Sequence, residues 1–175
     1  MADDKKGMLR HVDVLGRVVI PREVRKALRI NYGDLMEFCA CSNQQVIIRK
    51  FHLMDEISDL ANSLVRVVRV GRNCDVYILD TEKVVCKNGD KNINKPKLSA
   101  NILEALENRN EQILENLKNT NLAEGEKIRG EAIISPILSS GDLLGGVVVV
   151  SSKITDDLRS VCQELTNFFS TYFNK

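Results

Sequence analysis

The sequence predicts an α+β fold in two parts: a small β-rich domain over residues 1–52 and a larger α/β sandwich over residues 72–175. A helix over residues 53–71 is expected to link them. Three observations support this division. Short β-branched runs surround one brief helical segment near the N-terminus, helical patterns flank a set of strand patterns further on, and the charge differs between the two halves. A chain of 175 residues is long enough for two small domains.

The N-terminal part contains four short predicted strands and one helix. Residues 1–7 look like a flexible basic arm. The strands are predicted from alternating or β-branched residues over 8–14, 18–20, 35–41 and 45–51. Pro21 suits the start of a helix, which the apolar spacing extends over residues 21–30, and the residues from Asn31 to Asp34 end it. So small a unit buries little apolar surface as a monomer, which predicts a dimer that shares one core.

The rest of the chain alternates between helical and strand patterns. Apolar residues at helical spacing predict a helix over residues 53–70, with Gly71 suited to its C-terminal end. The run Gly145 to Val150 is apolar on both faces and predicts a covered central strand. Further strands are predicted over 75–80, 84–87 and 130–138, and further helices over 98–117, broken near 108–110, and over 156–173. Helices on either side of a sheet are typical of an α/β sandwich.

The charge is uneven along the chain. Residues 1–51 carry ten Lys and Arg against six Asp and Glu, or +4, and the remaining residues carry 15 against 18, or −3. Residues 5–29 alone carry eight basic and two acidic side chains, or +6. A charged run is often only a solvated surface. Concentration of these bases in one short folded segment favours a polyanionic partner.

Several other classes of function find no support in the sequence. No apolar run is long enough for a transmembrane helix, and the N-terminus does not resemble a signal peptide, so a cytoplasmic protein is expected. Five scattered cysteines do not suggest a disulfide framework. The lone pair Cys39 and Cys41 cannot complete a zinc site, and no phosphate-binding glycine motif is present. We therefore expect no metal, no cofactor and no enzymatic activity.

The segment RHVDVLGRVVIPREVRKALRINYGD, residues 10–34, resembles the AbrB-type transition-state regulators. The run LGRVVIP carries the match, together with Val12-Asp13 and Gly33-Asp34. The resemblance implies a swapped-hairpin β-barrel in which two chains interleave their strands. It also implies that residues of the first strand, the LGR turn and the helix contact double-stranded DNA; in this sequence these are Arg10, Arg17, Arg25 and Lys26.

Arginine suits such contacts because its planar fork fits both phosphates and guanine edges. Lys26 keeps the charge without the fork. Arg22 and Arg29 are further candidates from charge alone. An alternative role for Arg17 is to pair with Asp13 across the predicted hairpin.

The C-terminal part is similar in length and element order to a GAF domain, a small-molecule or dimerisation module. Pro136 and the hairpin sequence GDLLGGVVVVS support this similarity. An AbrB-type module joined to a GAF-like domain resembles a family of tetrameric regulators of forespore genes in endospore formers. The combination implies a homo-oligomeric, sequence-specific transcription regulator, with assembly as the main role of the C-terminal domain and an unknown small-molecule effector as a further partner.

Two other functions remain possible at this point. Antitoxins share the AbrB-type module, but they usually end in a short disordered tail, whereas about 120 residues with clear periodicity follow it here. Some GAF-fold proteins are redox enzymes that use cysteines. Cys86 and Cys162 would be the candidates for such chemistry, although apolar packing is the commoner role of such residues.

Overall fold

The computed structural model describes residues 7–32, 34–51, 53–90 and 92–174. The chain separates into two compact units, Met1–Phe51 and His52–Lys175. Nearly all of the predicted N-terminal arm lies outside the described residues, as do Gly33 of the predicted helix-ending turn and His52.

The first unit contains a short helix and a hairpin. Helix α1 spans Arg22–Ala27, and strands β1 (Met36–Cys41) and β2 (Gln45–Lys50) pair antiparallel, which confirms the predicted second hairpin. The helix is shorter than predicted because Arg29 takes a left-handed conformation at φ 51°. The amide of Ile30 then donates to the Arg25 carbonyl at 2.8 Å, an arrangement that closes a helix end.

The predicted strands over residues 8–14 and 18–20 are not formed in the single chain. The segment instead makes a turn, in which the Asp13 amide donates to the Arg17 carbonyl at 3.0 Å and Gly16 adopts φ 77°. A strand forms only where a neighbouring strand accepts its backbone hydrogen bonds. Among the described residues of this unit none is buried, so the unit lacks a core of its own.

The second unit is an α/β sandwich, as predicted. Its sheet has the order β4-β3-β7-β6-β5, with every neighbouring pair antiparallel. The strands are β3 (Asp75–Leu79), β4 (Val84–Lys87), β5 (Gln112–Ala123), β6 (Glu126–Ser139) and β7 (Asp142–Ser151). The helices are α2 (Leu53–Glu56), α3 (Ser58–Arg69), α4 (Ala100–Glu107) and α5 (Asp156–Phe173).

Alternation along the central strands divides the core between the two faces of the sheet. Val147 and Val149 of β7 pack in a cluster with residues of α2, α3 and α5. Val148 and Val150 pack in the other cluster, with residues of α4. Because both faces are covered, β7 is buried from Gly145 to Val150, as its continuous apolar sequence predicted.

The predicted helix over residues 98–117 was wrong in its second half. Helix α4 ends at Glu107, and residues 112–123 form the edge strand β5. Asn116 and Asn119 take left-handed φ angles of 55° and 59°, and the pairing with β6 shifts register beside them. Each shift adds a residue to the strand, so the half-buried positions Leu114 and Leu117 are three residues apart, a spacing that imitates a helix.

The segment predicted as one linker helix is two helices, α2 and α3, separated at Ile57. Their apolar side is part of the second unit's core: Met54, Ile57, Ala61 and Val65 are at most 4% exposed. The helix that follows the N-terminal unit therefore belongs structurally to the sandwich. Within the described ranges, no helix is long and apolar enough to cross a membrane.

Candidate nucleic-acid interface

The turn over residues 13–17 holds Arg17 in a defined position. The Asp13 carboxylate accepts hydrogen bonds from the amides of Leu15 and Arg17 at 2.9 and 2.8 Å and from Arg17 Nε at 2.8 Å. The Arg17 backbone amide and then its guanidinium lower the pKa of Asp13. The Arg17 side chain is still 72% exposed.

This geometry is therefore compatible with both roles expected for Arg17, the ion pair with Asp13 and a contact with DNA. The Asp13 pair engages Nε, and the exposed guanidinium can still present its terminal amino groups to a ligand. Fixing an arginine in advance lowers the entropy that it would lose on binding an anion.

Helix α1 and the residues that follow it bring four of the predicted site residues to one place. Arg22, Arg25, Lys26 and Arg29 line a shallow groove, together with Ile30 and Asn31. Arg22 shares a surface of α1 with Arg25 and Lys26 because they follow it by three and four residues, and Arg29 lies just beyond the end of the helix. Like charges so placed repel each other in isolation, and a bound polyanion would relieve that repulsion.

Arg10 and Arg17 are not among the residues that line this groove. Arg10 is exposed, and its guanidinium donates to the neighbouring Leu9 carbonyl at 2.8 Å. The single chain thus assembles the α1 cations into one surface and leaves the other two predicted contacts separate from it. Ile30 and Asn31 are groove residues that charge alone could not indicate.

One face of the β1–β2 hairpin is an exposed apolar surface. Phe38 pairs with Ile48 and Ala40 with Val46, so these side chains share a face. Phe38 is 64% exposed and Val46 is 62% exposed. The opposite face is mixed: it carries the ion pair of Arg49 Nε and Glu37 at 2.5 Å and the apolar pair of Cys39 and Ile47. An exposed apolar sheet face on so small a domain favours a cover from another chain.

The cysteines of the second unit are buried and poorly suited to thiolate chemistry. Burial raises the pKa of the Cys86 thiol to about 11 and that of Cys162 to about 12, which disfavours the reactive thiolate. Cys74 is also buried, and burial raises its pKa. Among the described residues, no group of three or more His, Cys, Asp or Glu side chains could hold a metal ion.

A groove of about 440 Å³ lies at one end of the sandwich, where the loop after β4 faces the β5–β6 turn. Its polar lining includes Lys87, Asp90, Asn92 and Glu124. Lys87 also pairs with Glu126 at 2.6 Å across the groove wall. The loop sequence NGDKNINKP, rich in amide and charged residues, was the available sequence signal, but it did not indicate that two separate loops meet here.

Comparison with known proteins adds relatives to these observations. Residues 56–175 match the family described as Stage V sporulation protein T C-terminal, transcription factor. The chain is 32% identical over 154 residues to stage V sporulation protein T of Bacillus subtilis (strain 168), an alignment that covers 85% of each protein.

Solved structures with similar folds include type II free methionine-R-sulfoxide reductase from Thermoplasma acidophilum. It has a TM-score of 0.50 and 12% identity, covering 67% of this chain and 93% of that one. Another is the cofactor-binding GAF domain of the nutrient sensor CodY from Clostridium difficile, with a TM-score of 0.44, 19% identity, and coverage of 86% and 93%. At 12% identity, the likeness to the reductase shows a similar fold alone.

Proposed function

The chain belongs to the stage V sporulation protein T family of transcription factors, and from this premise we propose that it binds specific sequences in double-stranded DNA through its N-terminal unit. Family membership supports a role in transcription regulation and in sporulation. The finer proposal is regulation of forespore genes, with the protein acting on DNA in the cytoplasm. Arg10, Arg17, Arg25 and Lys26 are the proposed main contacts, with Arg22 and Arg29 beside them.

The groove on α1 is the observation that carries this proposal. None of its four cations forms an ion pair with another described residue. Three other cations of the same unit do form ion pairs: Arg17 with Asp13 at 2.8 Å, Arg49 with Glu37, and Lys50 with Asp34 at 3.2 Å. A cluster of four cations without ion pairs around one groove is the electrostatic pattern expected of a phosphate-binding surface.

The exposed apolar face of the hairpin supports a dimeric N-terminal unit. A second chain could cover this face and supply the partner strands that residues 8–14 and 18–20 lack in the single chain. An intertwined swapped-hairpin barrel is the arrangement we propose. It would duplicate every DNA contact about a two-fold axis, as half-site recognition requires.

The C-terminal unit is proposed to add a second self-interface and to make the full protein a tetramer. Helix α5 exposes Phe168 and Tyr172, each 39% exposed, and their rings stack at 6.2 Å. Val67 and Val70 at the end of α3 are 70% and 76% exposed. Assembly through such surfaces is proposed as the main role of this unit, with small-molecule sensing as a further one.

The salt dependence of DNA affinity tests the proposed interface. If Arg10, Arg17, Arg25 and Lys26 of two chains contact phosphates, eight contacts form, and the slope of log K against log salt concentration is about −7. The assay uses duplexes enriched from a random library by the full-length protein. Arg17→Ala should lower the affinity and leave the thermal melt almost unchanged, because the Asp13 pair is exposed. If the melt collapses, Arg17 is structural; a slope near zero excludes phosphate binding.

A further inference from the structure

The loop after β4 is fastened to helix α2 by an ion pair that spans 40 residues of sequence. Lys95 Nζ donates to one oxygen of the Asp55 carboxylate at 2.7 Å. Lys83 Nζ donates to the other oxygen at 2.7 Å. Burial alone would raise the pKa of Asp55, but the two lysines outweigh it and lower the pKa, so the carboxylate stays charged.

The two lysines are not equivalent. Lys83 also lies 4.0 Å from the carboxylate of Asp80, which is only 1% exposed and accepts hydrogen bonds from the Glu82 and Lys83 amides at 2.6 Å. Lys83 is therefore attracted by two carboxylates, those of Asp55 and the buried Asp80, and moving it away would weaken both attractions. Among the described residues, Lys95 pairs with the Asp55 carboxylate alone, and its side chain is 39% exposed. Lys83 is therefore the fixed partner of Asp55, and Lys95 is the one that can leave.

The backbone at Lys95 is strained in the attached position. Its φ angle is 45°, in the left-handed region, and the next residue is Pro96. A residue before proline is pushed towards extended conformations, and a lysine gains nothing intrinsic from a left-handed one. The surrounding contacts must hold it there: the Pro96 carbonyl accepts from the Val84 amide at 2.9 Å, and the Lys95 ammonium reaches Asp55. Strained residues persist only where the surrounding structure holds them, and they are enriched at ligand clamps and switch regions.

The strained residue lies next to the groove. Asn94 and Pro96, on either side of Lys95, line it together with Asn92 and Ile93. The segment over residues 92–96 thus forms one wall of the groove and is attached to α2 by Lys95. Helix α2 begins at Leu53, two residues after the N-terminal unit ends at Phe51.

We propose that residues 92–96 form a strap whose closed position is held by the Lys95–Asp55 ion pair, and that its release loosens α2 and weakens DNA binding by the adjoining unit. The proposal rests on the proposed DNA-binding function for its final step. In the open state Asp55 keeps Lys83, so α2 loses one attachment and the sandwich stays folded. The strap is the two-state element that a molecule entering the groove would bias.

Two substitutions at position 95 separate the effect of losing the ion pair from the effect of changing the backbone conformation. Lys95→Asn removes the ion pair but tolerates a left-handed φ, because asparagine adopts that region readily. Lys95→Arg keeps the charge and is the matched control for the position. Arg159→Gln, which breaks the ion pair to Glu111 at 2.7 Å, is the control for loss of any ion pair in the same unit.

Hydrogen exchange of the full-length protein measures the opening of the strap directly. The Val84 amide donates to the Pro96 carbonyl of the strap at 2.9 Å, and it loses this acceptor when the strap opens. The Leu98 amide, two residues beyond the strap, donates to the Glu82 carbonyl at 2.8 Å, and we expect this bond to loosen with the strap. Lys95→Asn should speed their exchange about fivefold, the change expected for loss of one partly exposed ion pair. Lys95→Arg and Arg159→Gln should leave both amides at the wild-type rate. Unchanged exchange in Lys95→Asn would overturn the strap.

DNA affinity then tests the coupling. On a duplex enriched by the wild-type protein, Lys95→Asn should bind at least about threefold more weakly than Lys95→Arg. Faster exchange with equal affinity in the two variants would overturn the coupling to DNA binding and leave the DNA-binding function intact. Failure of the wild-type protein to enrich or bind any duplex would instead refute the proposed function, and this outcome is separate from the exchange result.

Discussion

Phe38 gives a quantitative test of the shared core proposed for the N-terminal unit. In the single chain its side chain is 64% exposed on the apolar face of the β1–β2 hairpin. If a second chain covers that face, Phe38→Ala removes apolar area that is buried only in the dimer. The substitution should therefore weaken dimer formation.

The size of the effect follows from the exposed fraction. Complete burial of a large apolar side chain stabilises by about 1.5–3 kcal/mol. Burying the remaining 64% of Phe38 is then worth about 1–2 kcal/mol per chain, or about 2–4 kcal/mol for the two copies in a dimer. The dimer dissociation constant should rise about 30- to 700-fold.

Sedimentation equilibrium and far-UV circular dichroism of residues 1–52, measured over a dilution series, provide the assay. Helix and strand signal should disappear together with the dimer, because the monomer has no core. Arg49→Ala on the opposite face of the hairpin is the matched control; it removes an ion pair to Glu37 and should change the dissociation constant only a few-fold. A wild-type fragment that stays folded as a monomer, or a Phe38→Ala dimer as tight as the wild type, would refute the shared core.

Three further predictions concern the second unit. Gly145→Ala should destabilise the full-length protein by about 1–3 kcal/mol in denaturant unfolding, because an added Cβ would lie 2.0 Å from the Leu79 carbonyl oxygen; an unchanged midpoint would disprove this. With a pKa raised to about 12, the Cys162 thiol should stay unreacted with a thiol reagent at pH 8 until the protein unfolds, and labelling in the native state would contradict its burial. Arg72 lowers the pKa of Asp157 from 3.8, so their pair stabilises the fold above that pH and the effect is lost as pH falls through the lowered pKa. Arg72→Gln should thus melt below the wild type at pH 6, and the difference should shrink as the pH falls below 3.8. A difference that does not change with pH would assign the effect to another contact.

The sandwich was predictable where burial dictated the sequence pattern. The strand from Gly145 to Val150 is apolar at every position because both its faces are covered, and α5 keeps its apolar stripe along one side. The edge strand β5 was not predicted because its residues are not all buried, so burial does not impose an apolar pattern on them. Its left-handed asparagines at 116 and 119 interrupt the two-residue period that identifies a strand.

The candidate site was predictable in its charges and less so in its geometry. Spacing alone placed Arg22, Arg25, Lys26 and Arg29 on one short helix, and the structure brings them around one groove. The pairing of Arg17 with Asp13 was an alternative open from sequence and is present. The hairpin expected before α1 depends on backbone partners that a single chain does not supply, so sequence periodicity could indicate strands there without specifying what they pair with.

DNA binding by the basic residues of the N-terminal unit is tested most directly by fluorescence anisotropy of the full-length protein on an enriched duplex at several salt concentrations. Arg25 and Lys26 line the groove on α1, and no residue of α1 is buried, so replacing both with alanine should leave the fold and its melt intact. In a dimer the double variant loses four phosphate contacts, which lowers the magnitude of the salt slope by about 3.6. We predict that loss, with affinity at least about 100-fold weaker at low salt. A double variant that binds with the wild-type slope and affinity would contradict a DNA interface on α1.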